Sequence, residues 1–126
     1  MPIGWTVTPA DRFAVLAVIE PYTMAEWHDA TARLLDTPIA RHSLRLLIDR
    51  RQLTPFTLSF VAEMTGYLVA YSAAFAQGVI AIVVSDDAGL ELGRMTAARS
   101  SVCLPTTKLQ TFRSYDDAVT WLISGA

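Results

Sequence analysis

The sequence predicts an α/β fold, a mainly parallel sheet of about five strands in the order β-β-α-β-α-β-α-β-α with helices packed over it. Three observations carry this. Two near-continuous apolar runs, FAVLAVI at Phe13–Ile19 and VIAIVV at Val79–Val84, have the pattern of strands buried on both faces. Helix-opening residues follow the strand segments: Thr23 with Glu26, Thr54 with Pro55, Asp86 with Asp87, and Ser114 with Asp117. Repeated strand–helix units of this kind bring each strand back parallel to the last.

Trp5–Thr8 alternates apolar and polar residues and reads as a first strand, turned by Pro9 and Asp11 into Phe13–Ile19. Thr23-Met24-Ala25-Glu26 is a capping box, in which hydroxyl and carboxylate each satisfy the other residue's amide. Trp27, Ala30 and Leu34 follow at helical spacing, and Pro38 stops the helix. Leu44–Asp49 is the third strand. Thr54-Pro55 opens a long helix that runs to about Gln77 and ends at Gly78. After Val79–Val84, Asp86 and Asp87 cap a helix over Ala88–Ser100, with acids where the helix dipole favours them. Leu109–Phe112 is the last strand, and Ala118, Trp121 and Leu122 are the inward face of the last helix.

Composition narrows the function classes. The 126 residues suit a single domain. Apolar residues make up 52% and charged residues 17%, which excludes disorder and predicts some apolar surface hidden against another chain. A net charge of -2 with scattered arginines argues against nucleic acid. Arg50 and Arg51 are the contiguous pair, read as a solvated strand end. The single Cys103 fits a reducing, cytoplasmic setting. MPIGWTVTPADR lacks the basic and apolar stretches of a secretory signal. Phe56–Ala76 carries only Glu63 as a charge, but its hydroxyl residues and flanking strands argue against a membrane span.

No chemistry-bearing motif emerges. A phosphate loop, a dinucleotide fingerprint and a G-x-S-x-G elbow are all missing from the sequence. Cys103 with His28 or His42 is the conceivable nucleophile–base pair, but Cys103 falls in the irregular stretch Ser100–Thr107, away from both histidines. His28 reads as a surface helix residue. Asp86 and Asp87 read as a helix cap and its neighbour rather than as an acid–base pair. The expectation is therefore no catalytic residue, no metal and no cofactor.

Two surfaces remain. Ligands of open parallel sheets sit at the carboxyl ends of the strands. Here that rim holds Glu20, Tyr22, Asp49, Arg50, Arg51, Ser85 and Asp86, with Arg94 on the third helix expected to pair with Asp49. Such a rim suits a small anionic ligand or a peptide segment, and ordinary loop surface would look the same. The second surface lies on the long helix. Phe60, Val61, Met64, Tyr67, Leu68, Tyr71 and Phe75 form a bulky stripe expected to cover the sheet. On the opposite side Ala62, Gly66, Ala70 and Ala74 recur every four residues. Small residues at that spacing admit a second helix closely, either from a homodimer partner or from the same chain.

The segments LRLLIDRR, VIAIVVSD, LGRM and FRSYDDAVTWL, with a Thr-Pro-opened helix after the first, resemble the SpoIIAA-like family. These are small bacterial proteins related to the STAS domains of anti-sigma factor antagonists. Asp49, Gly93-Arg94-Met95, Phe112-Arg113 and Ala118 with Trp121-Leu122 carry the resemblance across nearly the whole chain. It implies successive right-handed βα turns behind an extra N-terminal strand. Anti-sigma antagonists carry an Asp-Ser-Ser-Gly-type segment with a phosphorylated serine, whereas this chain reads Asp49-Arg50-Arg51-Gln52. The expectation is a non-catalytic regulatory module docking a protein partner, or alternatively a carrier of an amphipathic, lipid-like ligand.

Overall fold

In the computed structural model the described residues are 3–8, 13–19, 24–36, 45–52, 66–67, 69–71, 73, 76, 78–103 and 106–124. They form, in chain order, strands β1 (Ile3–Thr8) and β2 (Phe13–Ile19), helix α1 (Met24–Leu35), strands β3 (Arg45–Gln52) and β4 (Val79–Val83), helix α2 (Asp87–Cys103), strand β5 (Lys108–Phe112) and helix α3 (Tyr115–Ile123). Residues 66, 67, 69, 70 and 73 are also helical, and the Tyr71 amide donates to the Tyr67 carbonyl at 3.2 Å. They fall within the predicted helix from Thr54 to Gln77, of which the remaining residues except Tyr71 and Ala76 lie outside the described residues. So do Thr23 of the predicted capping box and His42.

The strands lie side by side in sequence order, β1-β2-β3-β4-β5. β1 runs antiparallel to β2, and β2 through β5 are parallel. The sheet is thus α/β and mainly parallel, as the repeated strand–helix pattern predicts. Each parallel step moves one place in the same direction, so right-handed crossovers put every connecting helix on one face. α3, which follows the last strand, is left to cover the other.

Side-chain alternation assigns the two faces. Phe13, Leu47, Val79, Ala81 and Val83 pack with Ala118 and Leu122 of α3. The alternate residues Ala14, Leu16, Leu46, Ile48, Ile80 and Ile82 are buried on the opposite side, where α1 contributes Trp27, Ala30 and Leu34. All five residues of β4 are buried, which explains why that run has no polar alternation.

Local chemistry sets the helix ends. Asp86 Oδ1 accepts the Gly89 amide at 2.6 Å, and Ser114 Oγ accepts the Asp117 amide at 3.2 Å. Both caps are those the sequence predicts. At its other end α3 has no basic residue in its last turn. Arg45, from the start of β3, supplies the cation by donating to the carbonyls of Leu122 and Ile123. α2 runs through Cys103 instead of ending at Ser100, so Cys103 is helical and not in an irregular stretch. The Ser101 hydroxyl bonds back to the Ala98 carbonyl at 2.8 Å.

α2 lies against β5 at one tight point. A Cβ on Gly93 would sit 2.5 Å from Thr111 Cγ2 and 2.7 Å from its Cβ. The Thr111 hydroxyl, buried under Gly93, has no hydrogen-bond partner among the described residues. Two opposite outcomes are expected in thermal melts. Gly93→Ala lowers stability by about 1–3 kcal/mol through overpacking. Thr111→Val, equal in shape but without the unsatisfied hydroxyl, raises it by about 1 kcal/mol. Equal melting temperatures for both variants would contradict this packing.

Candidate functional site

The rim at the carboxyl ends of β3, β4 and β5 is closed by its own charges. β3 continues three residues past Asp49, so Asp49 and Arg51 fall on the α3 face and Arg50 on the other. The Asp49 carboxylate accepts the Arg51 main-chain amide at 3.1 Å, Nε at 3.0 Å and Nη2 at 2.9 Å. The guanidinium lies over the Tyr115 ring, 4.7 Å from its centre. Burial raises the Asp49 pKa, but the hydrogen bonds and charge of Arg51 outweigh it and hold the carboxyl below its usual 3.8. A carboxylate so held is a weak base, suited to fixing the strand end and not to taking a proton. Farther along the rim, Arg113 Nη1 donates to Asp87 Oδ1 at 2.8 Å, Asp86 caps α2, and Ser85 is exposed.

Three expectations are corrected here. Asp49 does not meet Arg94: its partner is Arg51, and Arg94 lies on the exposed side of α2, 3.6 Å from Glu91. The reason is that the neighbouring Gly93 is the residue turned onto β5, on the face opposite Asp49. Arg50 is not solvated but 6% exposed, because β3 outruns the predicted strand end. His28 is half-buried, not a surface residue, since its ring Nδ1 lies 2.9 Å from the Tyr71 hydroxyl. Glu20, Tyr22, Ala62 and Ala74 lie outside the described residues. Among the described residues no group of three or more His, Cys, Asp or Glu converges on one point.

The more informative arrangement joins α1 to the helical stretch around Tyr67. The Tyr67 hydroxyl lies 2.7 Å from Thr31 Oγ1, both buried, and Thr31 also donates to the Trp27 carbonyl at 3.0 Å. Trp27 meets the Tyr67 ring edge-on with centres 5.5 Å apart, and Tyr71 packs 5.4 Å from the His28 ring. This aromatic lock fixes how the stretch is rotated. With Tyr67 inward, Gly66, Val69, Ala70, Ala73 and Ala76 are all exposed, Val69 at 46%. A Cβ on Gly66 would meet no atom of the described residues within 4 Å. The described residues of this exposed face are all small or apolar and carry no charge. Gly66 and Ala70 were legible from the spacing of small residues, while Val69, Ala73 and Ala76 were missed. The signal for those three was the lack of charge at a three- and four-residue spacing.

No known protein family, characterised protein or solved structure matches the chain. Among the described residues no helix is long and apolar enough to cross a membrane.

The lock has a pH signature. Burial pushes the Tyr67 hydroxyl up to about 12, against the smaller lowering effect of its hydrogen bonds with Thr31 and Trp27. A group raised in the folded state contributes its full stability below the unfolded value of about 10 and loses it as pH rises toward 12. Absorbance titration should therefore show one of the four tyrosines ionising late, together with loss of the folded circular dichroism signal. Four tyrosines ionising together near pH 10 in a folded chain would contradict the buried lock.

Proposed function

We propose that the protein is a non-catalytic, bacterial, SpoIIAA-like interaction module of the cytoplasm. It pairs with a second copy through the helical face at Gly66, Val69, Ala70 and Ala73, and docks a regulatory partner at the strand-end rim. The exposed apolar face carries the reading. Exposed helix surfaces normally bear several charges, whereas the described residues of this face bear none, and small residues let a second helix approach to about 8–10 Å. The low charged fraction of 17% is consistent with surface hidden in an assembly. The SpoIIAA-like part of the proposal rests on the ordered segments from LRLLIDRR to FRSYDDAVTWL. The rim supports docking rather than turnover, because its acids Asp49, Asp86 and Asp87 already hold a guanidinium or a helix amide.

Gly66→Leu tests self-association at an exposed position where an added Cβ would meet no described atom within 4 Å. Wild-type protein should sediment as a dimer at micromolar concentration. The variant should sediment as a monomer with unchanged circular dichroism. A monomeric wild type, or a variant that stays dimeric, would refute pairing through this face.

A further inference from the structure

A cleft at the β5 edge of the sheet, whose lining shares no residue with either surface above, has the makings of a small-molecule site. β5 is the last strand of the sheet. The Lys108 amide donates to the Gly78 carbonyl at 2.9 Å, and the Phe112 carbonyl accepts the Val84 amide at 2.9 Å. In a parallel ladder alternate residues bond the same neighbour, so Lys108, Gln110 and Phe112 face β4 with their main chains. The main-chain N–H and C=O of Leu109 consequently point outward, away from the sheet. Leu109 is partly exposed, and beside it opens a cleft of about 370 Å³. Ala97 and Ser101 of α2 line one side and Trp121 of α3 the other, with Lys108, Leu109 and Gln110 along the floor. Trp121 is half-buried, and its ring packs on Phe112 with centres 5.5 Å apart, which holds the indole in place.

We propose that this cleft binds a planar aromatic molecule bearing a hydrogen-bond donor and acceptor side by side, as a lactam does. The strand edge at Leu109 offers the complementary pair, an amide hydrogen and a carbonyl oxygen on one residue. Trp121 offers a ring for stacking, and Ala97 and Leu109 offer apolar contact. The volume lies within the range of about 300–1,000 Å³ usual for small-ligand sites. The site is independent of the dimer face and of the rim, so its failure would leave the reading above untouched.

The test is an amide NMR titration of the full chain with isoquinolin-1-one and with its N-methyl analogue, which keeps the ring but lacks the donor. Isoquinolin-1-one should shift the Leu109 amide and the Trp121 indole N–H saturably. The N-methyl analogue should bind about five- to tenfold more weakly, the effect of one lost hydrogen bond. Ser101→Phe, at an exposed helix position, should fill the cleft and abolish binding while leaving the rest of the spectrum in place. Equal binding of the two compounds, or binding that survives Ser101→Phe, would overturn the proposal. So would a titration in which only a short extended peptide, tested in parallel, shifts Leu109, because that would make the edge a strand-addition site.

Discussion

The hydroxyl pair formed by Tyr67 and Thr31 sits inside the protein, 2.7 Å apart, between α1 and the helical stretch that precedes β4. Giving up a hydrogen bond between buried hydroxyls costs about 1–3 kcal/mol, which holds Tyr67 and Thr31 against each other. Trp27 reinforces the arrangement from the same helix, with its ring edge-on to Tyr67. A helix has one rotational setting that keeps Tyr67 in this contact. That setting places Gly66, Val69, Ala70 and Ala73 toward solvent. The exposed face is thus a consequence of what is buried on the other side of the same turns.

The sheet holds both partners of that contact. β4 is buried on both faces, and the parallel register from β2 to β5 carries the connecting helices onto one side. Among the described residues α3 packs the other side through Ala118 and Leu122, and Arg45 from the far end of β3 closes its last turn. At the opposite end the Asp49–Arg51 pair and Tyr115 fasten the end of β3 to the start of α3. The Asp49–Arg51 contact is charge-assisted and forked, a geometry that fixes position more than it adds stability. The same α3 that completes the core therefore also anchors the rim.

What the sequence made legible follows from range. The runs at β2 and β4 are unbroken because both faces of these strands are covered, and such a signal needs no partner to read. The caps at Asp86 and Ser114 act over three residues and were equally plain. The end of β3 was obscured because Asp49-Arg50-Arg51-Gln52 has no apolar period, although the backbone stays extended through it. That hid which arginine faces Asp49 and which is buried. Contacts such as Tyr67 with Thr31, 36 residues apart, or His28 with Tyr71, 43 apart, depend on how α1 and the next helical stretch lie against each other. No local pattern encodes that, and the reading of His28 as a surface residue failed for this reason. Gly93 was noticed as part of a motif, but its need for close approach became evident only with Thr111 beneath it.

The face set outward by Tyr67 is the one proposed to meet its own copy. A spin label attached at Ala73→Cys, in a chain whose single native cysteine is replaced by Cys103→Ala, reports this directly by pulsed dipolar spectroscopy. Helices packed at about 8–10 Å between axes would give a single short distance between copies, below about 20 Å to 25 Å, at micromolar concentration. No dipolar modulation, or a broad distribution of long distances, would contradict the account.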